Sequence, residues 1–144
     1  MKIVLQRVRS ASVAVAEKSI AEIGYGLLAL VGVVPGDSSR EVDWLVKKTA
    51  GLRIFPEGDK NMNRSVVDVG GEVLVVSQFT LAAETAKGMR PGFSNAAEPA
   101  LAESLYDEFA LKLDDLVPTQ TGQFGADMQV AIINDGPVTI LLER

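Results

Sequence analysis

The chain contains no cysteine and no histidine. Without cysteine there is no disulfide framework and no thiolate nucleophile, and without histidine there is no Ser-His-Asp triad. With both missing, the zinc and iron sites that rely on thiolate or imidazole are excluded too. Basic residues are in short supply: 14 Lys+Arg stand against 19 Asp+Glu, a formal net charge of −5. A protein that relies on broad phosphate contact carries a basic patch or stripe, so a nucleic-acid ligand here would have to be gripped locally. Long apolar runs are also lacking. The longest, Gly26 to Val34, falls well short of the roughly 20 residues that cross a bilayer, and no basic segment precedes an apolar block at the start. A soluble, cytoplasmic protein is expected. No Pro/Gly/Ser-rich linker, low-complexity tract or solenoid-period repeat divides the chain, so one domain over 1–144 is expected.

What is present suits a folded core. Hydrophobic residues make up 47% and charged residues 23% of 144 residues, well away from compositions that stay disordered. Ile3, Leu5, Val13 and Val15 alternate with polar or small residues over Lys2 to Val15, which predicts a strand with one wet face, and Glu17-Lys18 its turn. Ile20 and Ile23 predict a return strand. Leu27 to Val31 predicts a third, more buried strand ending at Pro35-Gly36-Asp37, and the three together a β-meander. Asp37 or Ser38 caps a helix whose apolar positions Val42, Leu45, Val46, Thr49 and Leu52 recur until Gly51. Val66-Val67, a Gly70-Gly71 turn and Val73 to Val76 read as a hairpin-like approach to a buried strand. A second amphipathic helix follows Pro99, with Leu101, Leu105, Phe109 and Leu113 in near-register. Met128 to Ile133 and Val138 to Leu142 predict final strands broken at Asn134-Asp135-Gly136-Pro137. The expected fold is α/β: mixed sheets forming a barrel-like sandwich with two main helices packed outside.

Three segments have the composition of functional loops. In Gly88-Met89-Arg90-Pro91-Gly92-Phe93, glycines and proline shape the backbone while Arg90 and Phe93 offer a cation and a stacking face, which suits an RNA end. Taken alone, such a loop is more often an ordinary surface loop. Ser77-Gln78-Phe79-Thr80 puts two hydroxyls and an amide just past a buried strand, where backbone N–H groups can meet an oxyanion. Thr80 has no histidine to deprotonate it and no clear lysine partner, and a polar strand end satisfying its own backbone is the plainer reading. Asn134-Asp135-Gly136-Pro137 has turn chemistry, and by itself reads as a plain hairpin with a trans proline. Glu98, Glu103, Asp107, Glu108, Asp114 and Asp115 lie on or beside the second helix, where a solvated polar face explains them, so neither a metal nor another cofactor is expected.

Taken jointly, Ser77-Gln78-Phe79-Thr80-Leu81, Gly88 to Phe93, Gly122-Gln123-Phe124-Gly125-Ala126-Asp127-Met128, Asn134-Asp135-Gly136-Pro137-Val138-Thr139 and the opening Met1 to Val8 resemble the D-aminoacyl-tRNA deacylases, in order and spacing along the whole chain. The resemblance implies a homodimeric hydrolase that cleaves the ester between a D-amino acid, or mischarged glycine, and the terminal adenosine of tRNA. It implies that Ser77, Gln78, Phe79, Thr80 and Leu81 line the aminoacyl pocket. It implies equally that Gly136 and Pro137, joined by a cis bond, enter the other subunit's pocket to reject L-substrates. By family position Ala102, Phe124 and Met128 frame the substrate, and Arg90 and Phe93 hold the RNA. The expected partners are the aminoacylated 3′ end of tRNA and a second copy of the chain, with neither DNA nor membrane. A non-catalytic RNA-end binding module and a general small-ester hydrolase are the rival readings.

Overall fold

A 14-residue strand, β1 (Lys2–Val15), is the spine of the fold in the computed structural model, which describes residues 1–144. The chain turns back at Ala16 and Glu17, both at positive φ (47° and 64°), a backbone twist that matches a hairpin. The return arm consists of β2 (Lys18–Ile23) and β3 (Gly26–Gly32). Both lie on β1 in one register: Ala11 faces Ile23, and three residues further along each strand Val8 faces Gly26. The expected meander, with β3 beside β2, does not form. The bend at Gly24–Tyr25 interrupts one long arm without lifting it off β1. Across that bend the buried face changes: Ile3, Leu5, Leu27 and Ala29 belong to the larger core, whereas Val13, Ala21 and Ile23 belong to a second one. The apolar positions Ala21, Ile23, Leu27 and Ala29 keep the same odd-numbered alternation on both sides of the bend, so it is the backbone at Gly24–Tyr25, and not the sequence pattern, that turns them from one face to the other.

The first helix, α1 (Ser39–Gly51), is capped by Ser38 in a capping box with Glu41, which satisfies two otherwise orphaned amides. Asp37 has a different task, accepting from the Val34 amide at 2.7 Å and from the Met1 ammonium at 2.5 Å. Val42, Leu45, Val46, Thr49 and Ala50 form its buried stripe. Beyond it, β4 (Phe55–Glu57) and β5 (Lys60–Arg64) make a small separate hairpin. Its sequence shows no apolar alternation, since β5 is exposed or half-buried throughout. Val66 and Val67, expected to lead into a hairpin, lie in turns where the Asp68 carboxylate accepts from the Ser65 amide and hydroxyl.

The next strand, β6 (Glu72–Ser77), runs parallel to β3 and is followed by a 3-10 turn, Phe79–Ala82. The second helix, α2 (Pro99–Asp114), has proline in its first turn and buries Leu105, Tyr106, Phe109, Ala110 and Leu113. A three-residue strand, β7 (Thr119–Thr121), pairs parallel to β6. It also nearly closes the sheet onto β2, because the Gln120 amide donates to the Glu22 carbonyl at 2.6 Å and accepts from its N–H at 3.1 Å. The smaller core, including Val8, Val13, Leu28, Leu74 and Val76, fills this barrel-like space, while the larger core joins the other sheet face to both helices. The α/β architecture therefore matches the expectation from sequence.

The last strand, β8 (Met128–Glu143), is antiparallel to β1 and does not break at Asn134. Gln6 faces Thr139 and Val8 faces Asn134, so the residues from Asp135 to Val138 bulge out opposite Arg7. A hairpin would reverse the chain, whereas this bulge leaves its direction unchanged. The Gly136–Pro137 peptide bond is cis.

Candidate active site

Parallel strands present their carboxyl ends on one side, and in open α/β sheets ligands collect there. At that end of β3 and β6 lies a cavity of about 650 Å³, within the range of small-molecule sites. Its walls come from five parts of the chain. The end of β3 supplies Val31 and Val33, and β6 with the following turn supplies Val76, Ser77, Gln78 and Phe79. The loop before α2 supplies Phe93, Ala96 and Ala97, the start of α2 supplies Glu98, Pro99, Ala102 and Tyr106, and the approach to β8 with the first residues of that strand supplies Phe124, Met128 and Val130. Most of the lining is apolar, with Ser77, Gln78 and Glu98 as the polar groups.

The turn after β6 is held closely. Gln78 donates its amide to the Val31 carbonyl at 2.7 Å, carrying the parallel ladder one residue past the strand. The 3-10 turn then leaves its first amides open, and the N–H groups of Phe79 and Thr80 have no backbone acceptor within the chain. The Gln78 side-chain amide donates to Thr80 Oγ1 at 2.5 Å. Thr80 itself is exposed and is not part of the cavity wall.

Tyr106 anchors a further part of the wall. The Tyr106 hydroxyl donates to the Val75 carbonyl at 2.9 Å, and its ring packs against Phe124 with centroids 5.7 Å apart. Burial, and then the nearby Asp107 charge, push the Tyr106 phenol above its ordinary value, so it acts as a fixed neutral donor. Gly122 makes room for Met128, since a methyl there would stand 2.7 Å from the Met128 Sδ.

Of the residues singled out from sequence, Ser77, Gln78, Phe79, Phe93, Ala102, Phe124 and Met128 meet in this cavity. Leu81, half-buried, packs behind the turn against Gly32. Arg90 is exposed in a loop whose ends are joined by Glu84–Gly92 backbone bonds of 2.8 and 2.9 Å. Gly136 and Pro137 are exposed on the β8 bulge and take no part in the wall of this chain's cavity. Sequence reading missed Tyr106, Val33, Glu98 and Val130. Tyr106 carried a usable signal, a phenol on the buried stripe of α2 that needs an acceptor. No group of three or more Asp or Glu side chains is placed to hold a metal ion.

The family described as D-Tyr-tRNA(Tyr) deacylase matches residues 4–143. Among solved structures, the chain is similar to "c-Myc DNA Unwinding Element Binding Protein", at 41% identity and a TM-score of 0.94 over 100% of this chain and 99% of that one. It shares its fold with "a probable eukaryotic D-amino acid tRNA deacylase", at 17% identity and a TM-score of 0.86 over 98% and 97% of the two chains.

Proposed function

From the premise that the chain belongs to the D-Tyr-tRNA(Tyr) deacylase family and is a D-aminoacyl-tRNA deacylase, a hydrolase, we propose that the aminoacylated terminal adenosine of tRNA occupies the cavity beyond β6. One deacylase domain spans 1–144. The observation that carries this reading is a pair of open amides, that of Phe79 on the cavity wall and that of Thr80 next to it in the turn, in a chain with no histidine or cysteine.

An aminoacyl ester is already activated, and the vicinal 2′-hydroxyl of the ribose positions the attacking water. The protein then supplies orientation and stabilises the developing oxyanion. The Phe79 and Thr80 amides serve as oxyanion donors. Ser77 and Gln78 orient the ester, and the Thr80 hydroxyl is not the nucleophile. Leu81, Ala102, Phe124 and Met128 frame the adenosine and aminoacyl groups, while Arg90 and Phe93 hold the RNA.

Chiral selection comes from a second copy of the chain. β8 pairs with β1 alone, and the exposed Ile132, Ile133 and Leu141 along this edge strand supply apolar surface for that association, while Gly136 and Pro137 project from the same strand. Inserted into the partner's cavity, their carbonyls block the side on which an L side chain projects. Such a wall accepts many D-amino acids and cannot exclude glycine, so glycine mischarged on tRNA-Ala is also cleared. No helix is long and apolar enough to cross a membrane, and the substrate places the enzyme in the cytoplasm. The proposed ligands are the RNA end and a second copy of the chain, and DNA is not among them.

The test is to mix the protein with a D-aminoacyl-tRNA, its L-counterpart and a simple amino-acid ester and to follow ester loss. Selective cleavage of the D-aminoacyl-tRNA is expected. Binding without turnover would favour an RNA-end binding module, and equal cleavage of the simple ester a general esterase.

A further inference from the structure

Two aromatic rings stand open to water at the mouth of the cavity. Phe79 is 58% and Phe93 39% exposed, yet both contribute to the cavity wall. Their centroids are 5.1 Å apart and their planes meet at 63°, so one ring braces the other edge-on and leaves a face free. Large aromatics ordinarily contribute to stability by burial, and an exposed pair beside a ligand cavity forgoes that contribution. The backbone holds both rings in place: Phe79 opens the 3-10 turn, and the paired Glu84–Gly92 bonds close the loop immediately before Phe93. The same loop presents Lys87 and Arg90, both exposed and neither in an ion pair. Glu84 at the base of the loop and Glu98 on the cavity wall keep the net field small, so any attraction for phosphate is confined to the loop tip.

We infer that Phe79 and Phe93 form a stacking platform for the base of the nucleotide preceding the ester-bearing one, so that the enzyme grips a dinucleotide end. This rests on the function proposed above. With the terminal adenosine in the cavity, its 5′-phosphate leaves through the mouth, and the preceding base, a cytosine in tRNA, arrives at the exposed rings. Base–aromatic stacking needs only a flat π-face and a fixed ring, and the loop cations meet the connecting phosphate.

Three D-aminoacyl esters separate the contributions: those of adenosine, of cytidylyl-adenosine and of whole tRNA. Wild-type kcat/KM rises by about tenfold or more from the adenosine ester to the dinucleotide ester, the scale that stacking one base confers. Phe93→Leu keeps apolar bulk without a π-face. It loses most of that gain and falls far less on the adenosine ester, while Phe93→Trp restores the gain; thermal melts confirm that both variants are folded. Equal kcat/KM for the adenosine and dinucleotide esters in the wild type would overturn the platform, as would a Phe93→Leu loss of the same factor on all three substrates. Failure of the wild type to cleave any of the three esters is a different result, and would overturn the proposed function and the platform with it.

Discussion

A methyl group at Gly32 would stand 2.9 Å from the carbonyl oxygen of Gln78 and 3.0 Å from Leu81 Cβ. The end of β3 thus comes close enough to the turn after β6 that only a hydrogen fits between them. Gly32→Ala has to push that turn away. The expected result is a folded protein destabilised by about 1–3 kcal/mol, with a larger loss in single-turnover deacylation as the Phe79 and Thr80 amides shift. Wild-type activity in Gly32→Ala would show that the position of the turn does not matter.

Thr80→Ala is expected to keep substantial activity. The Thr80 hydroxyl accepts from Gln78, is exposed, and has no histidine in the chain to deprotonate it. Single-turnover rates at saturating enzyme measure this. A loss of roughly 10⁴-fold, the scale of removing a triad member, would restore Thr80 as nucleophile.

Replacing the terminal 2′-hydroxyl with hydrogen, on an ester held at the 3′ position, should abolish turnover while binding changes little. The cavity wall offers no imidazole or thiolate to take over the role of that hydroxyl. Comparable rates for the deoxy and ribo substrates would mean that the protein provides its own base.

Asp135 supports the shoulder of the β8 bulge. Its carboxylate lies 2.9 Å from Arg7 Nε and accepts from Arg9 Nε at 2.9 Å. The Arg7 contact is ionic and not a directed hydrogen bond, since the Arg7 Nε–H itself has no hydrogen-bond partner and Nη1 donates to the Ile54 carbonyl at 2.5 Å. Arg7 and Asp135 are almost fully enclosed, so Asp135→Asn leaves a guanidinium unpaired and should cost about 3 kcal/mol. Arg9→Ala, at the exposed end, should cost about 0–1 kcal/mol. The D-over-L cleavage ratio should fall in Asp135→Asn, because the bulge carries Gly136 and Pro137. An undiminished ratio in a measurably destabilised variant would separate the bulge from selectivity.

The helices are clamped by Lys112, whose ammonium lies 2.6 Å from both Asp43 and Glu108, with Ser39 donating to Glu108 at 2.8 Å. The hydrogen bond from Lys112 is the main reason that the Glu108 carboxyl sits below its ordinary 4.5. The Glu108 contribution to stability is therefore complete above that value and is lost as pH falls through the lowered one. Hydrogen bonds to Asp43 and then Glu108 hold Lys112 above its ordinary 10.5, so its contribution is complete below 10.5 and is lost as pH rises through the raised value. Melting temperatures of wild type and Lys112→Met should differ most at intermediate pH and converge at both extremes. A constant difference across pH would remove the clamp from the stability account.

Local chemistry made much of this protein legible in its sequence. Ser38, one of the two caps expected, starts α1, Pro99 starts α2, and the period of Val42, Leu45, Val46 and Thr49 marks the buried face of the first helix. Caps and helical periodicity depend on neighbours a few residues apart, so the sequence alone contains them. The joint run of Ser77 to Leu81, Gly88 to Phe93 and Asn134 to Thr139 pointed to the family in the same way, by order and spacing.

Contacts between distant residues were decided only by the tertiary structure. Whether β3 lies beside β2 or continues along β1 depends on which edge of β1 is free, and β8 occupies the other edge along nearly its whole length. Whether Asn134 to Pro137 forms a hairpin or a bulge depends on Thr139 and Asn134 both finding places on β1. Tyr106 joins the cavity wall, with its hydroxyl reaching the Val75 carbonyl 31 residues earlier in the chain. The strands β5 and β7 are set by pairing partners and not by apolar alternation. Propensity and periodicity act over a turn of helix or a few residues of strand, while edge occupancy and hydrogen-bond satisfaction are settled across the whole sheet at once.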